Sequence, residues 1–289
     1  MAVYERTWRP YDGELTSLPL RFLVVTRFAL REVFSSRIFV AFYAGCAIPT
    51  VVGLALVYLS HNLAMLEKAG IPADFMSGLT LSFFSYLFPW QATPAFFVAV
   101  IVSPSLIAAD LANNGLPLFL ARPINRADYV IGKMAVLFLL LSPVTWMGGL
   151  LVFSMQAYFE GGTWWLDHIR IAMAYFVGHV SWILVISLLT LAISAWVRFK
   201  PVARGALFGM FFILGGFSQA INAITGSFWG SILNLPEAII VVVISLFDPA
   251  NATGPTGLPA WAAWFSLLAT ALFSLYLLWL KLRAHEVVS

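Results

Sequence analysis

Residues Ile171 to Val197 read IAMAYFVGHVSWILVISLLTLAISAWV, 27 consecutive residues without an Asp, Glu, Lys or Arg. At about 1.5 Å of rise per helical residue, such a run is long enough to cross roughly 30 Å of bilayer hydrocarbon. Five further runs of the same character lie at 38–60, 83–109, 134–159, 206–224 and 260–280, and none holds an acidic or basic residue. The chain of 289 residues is 61% hydrophobic and 10% charged, against roughly 45–50% and about 25% in soluble domains. These values exclude a soluble globule, a disordered chain and a coiled coil. The one cysteine, Cys46, sits inside the first run, so it cannot form an internal disulfide and reads as a small packing residue. The expected fold is an all-α membrane protein with six transmembrane helices, in which residues 1–37 form an N-terminal segment and 38–289 the six-span domain.

The net charge of +3 does not point to nucleic acid, because the basic residues lie between the apolar runs and not in a stripe. They report orientation instead. With six spans both termini share one side; 14 of the 16 Lys and Arg residues fall there and only Lys68 and Arg170 on the other. The positive-inside rule then places both termini in the cytoplasm. Acidic residues split seven against six, as expected of groups that contribute little to orientation. Within the first 37 residues six arginines are present and no short apolar core precedes a small-residue cleavage site, so the first run is expected to stay as a span.

Ahead of that span, residues 20–37 place Arg21, Arg27, Arg31, Glu32 and Ser35 on one side of a helical wheel. Phe22, Leu23, Leu30, Val33 and Phe34 lie on the other, with Val24, Val25 and Phe28 off pattern. The segment reads as an amphipathic helix on the inner membrane surface, or as an extension of the first span. A seventh apolar stretch, Ala238 to Phe247, has ten residues between Glu237 and Asp248. It reaches only about 15 Å, so it is expected to enter the outer leaflet as a re-entrant or interfacial helix from Pro236 to Phe247, with Glu237 and Asp248 in water at its ends. Pro89, Pro94 and Pro104 fall in the second span and are expected to kink it, lining a path or serving packing. Gly205-x-x-x-Gly209 permits close helix approach within the chain or between copies.

Catalytic and metal-binding patterns are missing. Gly132-Lys133 is followed by Met134 without the upstream glycine of a nucleotide-binding loop, and His61, His168, His179 and His285 show no metal-ligand spacing. Spans without an acid or base carry no proton relay, so uphill transport would draw its energy from a partner. Gln91, Gln156, His179, Gln219 and Asn222 are the polar residues that either contact a substrate or hydrogen-bond between helices.

The informative connection runs from Asp110 to Lys133. Asn125 and Asp128 have the spacing of a capping box that starts a helix near Arg126. Arg122-Pro123 breaks the preceding segment, and Leu116, Leu118, Phe119 and Leu120 make an apolar stretch that calls for a partner surface. The order Asp110, Gly115, Leu118, Leu120, Arg122, Pro123, Ile124, Arg126, Tyr129, Gly132, Lys133 resembles the membrane permease subunits of ATP-binding-cassette (ABC) transporters of the type-two exporter family. It departs from them at Leu111 to Asn114, where the family usually has Glu and Arg.

The resemblance implies a cytoplasmic coupling helix at about 113–121 that seats in a separately encoded ATPase subunit. Asp110, Asn113, Asn114, Gly115, Leu118, Phe119, Arg122, Pro123, Arg126, Tyr129 and Lys133 would form that coupling site. It implies a second permease copy, identical or related, and a bacterial inner (plasma) membrane location with lipid around the spans. ATP and magnesium would be held by the ATPase, with no cofactor, metal or catalytic residue on this chain. A lipid-modifying membrane enzyme lacks a supporting constellation here, and a passive channel or assembly scaffold leaves the ordered 110–133 motif without a reason.

Cysteine labelling in intact cells, on a chain with Cys46 replaced by Ala, checks the sidedness. A cysteine at Ala252 is expected to react without permeabilisation, because 225–259 contains no Lys or Arg. Reaction only after permeabilisation overturns the six-span arrangement.

Overall fold

The computed structural model describes residues 21–62, 81–108, 110, 125–197, 199–249 and 253–283. Among them the regular structure is helical, with a single isolated β-bridge between Thr253 and Pro259. Six helical stretches are long and apolar enough to cross a membrane: Arg37–Ser60, Ser82–Leu106, Arg126–Glu160, Ile169–Trp196, Lys200–Thr225 and Ala260–Leu282. The chain thus has the composition and architecture of a multi-pass all-α membrane protein.

Helix α1 (Arg21–Val33) precedes the first stretch, which consists of α2 (Arg37–Gly45) and α3 (Ile48–Ser60). The stretch divides because Pro49 has no N–H to offer the Gly45 carbonyl one turn earlier. The second stretch is α4 (Leu81–Leu106), which stays one helix through Pro89, Pro94 and Pro104. The third is α5 (Arg126–Val144) followed by α6 (Trp146–Glu160). Its break falls at Thr145, with φ −109° and ψ −106°, two residues after Pro143. The first and third stretches thus divide at or near a proline, a division not expected from the sequence. A short turn, α7 (Trp164–Asp167), leads into α8 (Ile169–Trp196), and α9 (Lys200–Thr225) follows. After a 3₁₀ turn at Trp229–Leu233 come α10 (Leu235–Phe247) and α11 (Ala260–Arg283).

Helix α8 is the hub, packing on α4, α5, α6, α9, α10 and α11. It is apolar on every side, and a helix of that kind has no face to turn to water. The largest fully buried side chains, among them Phe84, Tyr129, Leu137, Leu140, Tyr175, Ile183 and Ile186, come from α4, α5 and α8. By contrast α9 buries 11% of its apolar window against 67% for α8, so most of its surface faces outward from the chain.

Helix α1 is no extension of the first span. A turn at Phe34–Ser36 separates it from α2, and the Ser36 hydroxyl caps the Phe39 N–H at 3.3 Å. Its packing on the chain adds a second face to the two sides of the wheel. Val25, Thr26 and Ala29 are buried, while Leu23 and Phe34 are exposed together with Val24 and Phe28. The off-pattern residues thus belong to a helix with two apolar strips, one taken by α5.

Helix α10 has 13 residues, about 20 Å, and is too short to cross. Its N-terminal carboxylate, expected at the water boundary, is enclosed by donors of the chain. Glu237 is 7% exposed, with Oε2 accepting Asn234 Nδ2 at 3.1 Å and Oε1 accepting the Thr256 N–H at 3.3 Å and the Thr256 hydroxyl. The reason is local: a helix N-terminus favours a carboxylate, and the 253–259 segment folds over it.

The Gly148–Gly149 pair after the Thr145 break makes room for α3 and α8. A Cβ at Gly148 would lie 2.4 Å from Thr50 Oγ1, and one at Gly149 1.8 Å from Tyr175 Cε1. Replacing Gly149 with Ala is therefore expected to lower the thermal midpoint of the purified chain, since overpacking costs about 1–3 kcal/mol or more. Gly45→Ala, where a Cβ meets nothing within 4 Å, is expected to leave it unchanged. Equal midpoints for the two variants would show that the Tyr175 ring is not held where it lies.

Candidate functional site

The motif's two ends meet. Asp110, at the end of the second span, accepts the Tyr129 hydroxyl at 2.6 Å, and Lys133 Nζ lies 2.8 Å from the same oxygen, Oδ2. Tyr129 and Lys133 are four residues apart on α5 and so share a face, with the ammonium 5.4 Å from the phenol ring centre. Tyr129 is fully buried, the Lys133 side chain is 7% exposed and that of Asp110 19%. Charges so far removed from water persist only when paired and hydrogen-bonded. Residues 111–124 therefore leave from, and return to, a closed anchor.

Two further elements brace it. On one side α1 crosses α5 at Gly132, where a Cβ would stand 2.9 Å from Phe22 O and 3.0 Å from Val25 Cβ. Only a residue without a side chain allows this approach. There the Thr26 hydroxyl lies 2.9 Å from Gly132 O and 3.1 Å from Phe22 O, donating across the crossing and within its own helix. On the other side Ser194 Oγ of α8 accepts the Ala108 N–H at 3.0 Å, two residues before Asp110. The helix start is as expected: Asp128 accepts the Asn125 N–H at 3.2 Å, the return half of a capping box. Arg126 is half-buried in the first turn of α5.

Of the expected coupling residues, Asp110, Tyr129 and Lys133 come together, and Arg126 lies one turn before Tyr129. Asn113, Asn114, Gly115, Leu118, Phe119, Arg122 and Pro123 lie outside the described residues, as does the helix expected at 113–121. Thr26, Gly132 and Ser194 were not among the coupling residues. Gly132 follows the apolar-polar pattern without a turn to explain it, which is the available signal for a crossing; Thr26 and Ser194 give none until their partners are known.

The polar residues of the spans separate into three places. Gln91 is fully buried, its amide donating to Thr50 Oγ1 at 2.8 Å and accepting the Tyr175 hydroxyl. His179 joins it through Tyr175, with Nδ1 3.1 Å from Tyr175 O and the ring stacked on Phe88 at 3.7 Å. Gln156 lies elsewhere, donating to Glu160 at 2.9 Å, and Glu160 is 3.5 Å from His61. Gln219 is exposed, while Asn222 is held by the 3₁₀ turn, accepting the Gly230 N–H at 2.8 Å and donating to Ser231 at 2.7 Å. Among the described residues no group of three His, Cys, Asp or Glu has the geometry of a metal site. The chain matches no protein-family model, and no curated protein matches it.

Lys133→Met leaves the Asp110 carboxylate buried without its cation and is expected to cost about 3–5 kcal/mol. Asp110→Leu combined with Lys133→Met removes both charges and is expected to recover most of that loss. Thermal unfolding of the detergent-solubilised chain, with proteolysis at 111–124 as a local readout, measures both. Strictly additive losses would mean that the two side chains are not coupled.

Proposed function

We propose that this chain is the membrane-spanning permease subunit of an ABC transporter, an exporter whose energy comes from a separate cytoplasmic ATPase subunit. The observation that carries the proposal is the ordered motif from Asp110 to Lys133 together with the Asp110–Tyr129–Lys133 anchor that closes its ends. A loop that docks a moving partner transmits force only if both of its feet are fixed to spans. Here one foot is on α4 and the other on α5, and α1 and α8 hold them from either side. Closure of the ATPase on ATP, which that subunit binds with magnesium, would push the 113–121 helix and tilt α4 and α5 together. Leu118 and Phe119 would fill an apolar groove of the ATPase, Gly115 would allow the bend into it, and Arg122 and Arg126 would position the loop at the groove or the lipid surface.

In this reading both termini and the 110–133 connection are cytoplasmic, α1 lies along the inner surface with Arg27 and Arg31 exposed, and α10 enters the outer leaflet. The membrane is a bacterial inner membrane. A second permease copy would cover α9. Gly205 has no neighbour within 4 Å of a built Cβ, and Gly209 meets only Ile213 of its own helix, so the Gly205-x-x-x-Gly209 approach is unused within the chain. Exposed Val202, Phe212, Ile213 and Phe217 accompany it, a surface suited to a helix of a partner.

Purification of the tagged chain from its native membrane tests the proposal. An ATP-hydrolysing subunit with a nucleotide-binding loop is expected to co-purify. Replacing Leu118 and Phe119 with Asp is expected to release it while membrane insertion persists, because burying two charges in a dry groove costs several kcal/mol. A double variant that keeps the ATPase and its coupled hydrolysis would return 113–121 to an ordinary basic loop, and a wild-type chain that binds no ATPase would leave the channel or scaffold reading.

A further inference from the structure

At the end of α9 farthest from Arg204, a wide-open surface cavity of about 490 Å³ is lined by Gln219, Asn222, Gly226, Ser227, Phe228 and Thr256. Two negative features lie near it, one of them a carboxylate at the N-terminus of α10. Helix α9 ends here, capped by Gly226 at φ 61°, and a helix C-terminus carries about half a negative charge. Behind the wall Thr256 donates both its N–H and its hydroxyl to Glu237, a buried carboxylate that has no ion pair among the described residues. From 225 to 259 there is no Lys or Arg. An anion would meet this field without a compensating cation.

The remaining features suit an organic cation. Phe228 lines the cavity and its ring stacks on Trp229 at 5.1 Å, and aromatic rings attract ammonium groups. The exposed Gln219 amide makes no hydrogen bond among the described residues and stands at the wall as an acceptor. The wall is preformed. Asn222 uses both ends of its amide on the 3₁₀ turn, Ser231 Oγ lies 2.6 Å from Thr256 Oγ1, and Gly230 fits so closely that a Cβ would lie 2.4 Å from Ser218 O.

We propose that this cavity binds an organic ammonium group. The group arrives either on a small solute or on an amphiphile. For an amphiphile, a second cavity of about 600 Å³, lined by residues including Phe88, Trp182, Phe211, Phe212, Ile239 and Val243, would take the hydrocarbon. Phe211 and Phe212 of that cavity lie on the same face of α9 as Gln219 and Asn222, seven to eleven residues earlier in the helix. Of the three hydroxyls lining the apolar cavity, those of Ser85 and Thr93 are already donated to Ser82 O at 2.7 Å and Pro89 O at 2.8 Å, and the third is the phenol of Tyr86, an amphipathic side chain. Hydrocarbon is what such a wall accepts.

Equilibrium dialysis of the full chain in a neutral sugar detergent, at roughly 0.3 M salt to screen diffuse attraction, tests the assignment. The probes are choline, its uncharged isostere 3,3-dimethylbutanol, and octyltrimethylammonium. Saturable binding of an ammonium probe is expected, at least about tenfold tighter than the isostere and weakened about tenfold by Gln219→Lys and by Phe228→Leu. Gln219 is exposed, so the lysine introduces a charge without disturbing packing. Choline binding as tightly as octyltrimethylammonium identifies a solute as the source; saturation by the alkylated probe alone identifies an amphiphile. Equal binding of choline and its isostere with no saturable alkylammonium site, or affinities unmoved by both substitutions, overturns the proposal.

Discussion

Several polar groups that these helices carry away from water find a partner on another span, and these bonds organise the structure. Near Pro143 the Tyr43 hydroxyl donates to Leu140 O at 2.8 Å, next to the Leu139 carbonyl to which the proline offers no N–H. In α4 an Arg204 guanidinium nitrogen lies 3.4 Å from Ile101 O, next to the Val100 carbonyl that Pro104 leaves in the same position. Gln91, which would be costly alone in hydrocarbon, is satisfied by Thr50 on one side and Tyr175 on the other. Each of these bonds ties two different spans, so satisfying the backbone also fixes which helices are neighbours. The Gly148–Gly149 pair follows from the same need, since Thr50 and Tyr175 reach Gln91 only if the start of α6 has no side chains there.

The Asp110–Lys133 pair is the exception that uses full charges. A buried ion pair adds little net stability over a well-packed apolar pair, because desolvation offsets the attraction. What it provides is position. An apolar contact tolerates a slide of an ångström or two, whereas one carboxylate oxygen shared by an ammonium and a phenol tolerates very little. The expense is placed at the two ends of the 111–124 connection, and the contact of Thr26 of α1 with Gly132 of α5 removes further freedom.

How much of this was readable beforehand depends on the range of the interaction. The six long apolar helices, the helix start at Arg126 and the short helix before the last span follow from runs and local spacing, and the structure has all of them. The division of the first and third spans was missed even though Pro49 and Pro143 were visible. A proline breaks a helix or is absorbed by it according to what neighbouring helices supply, and α4 absorbs three. The wheel separates polar from apolar sides of α1 but carries no sign of its contact with α5. Thr26 is buried by its bond to Gly132 O, 106 positions away, and no local pattern carries that. Glu237 was placed in water for the same reason, since its donors come from Thr256, across the following connection. In the candidate site, Asp110, Tyr129 and Lys133 stood in the motif, but their meeting on one oxygen is a tertiary fact.

The two ends of the bundle use different chemistry, and the difference bears on which of them can open. At the Asp110 end the fixing bonds involve opposite charges, and separating them leaves ions in a poor dielectric. At the other end, Asn222, Ser231, Asn234, Thr256 and Glu237 form a chain of amide, hydroxyl and carboxylate contacts. Apart from the one carboxylate its members are neutral, and each bond can be exchanged for one to water at little net cost. Helix α10, too short to be locked across the membrane, rests on this chain at its N-terminus. In the proposed permease the charged end would therefore move as a rigid unit with its loop, and the hydrogen-bonded end would be where the helices part. In that proposal force applied at Asp110 would travel along α4, which packs closely on α8 at Phe88–Gly178 and between Phe84 and Tyr175, and the α9–α10 end would be the part that yields.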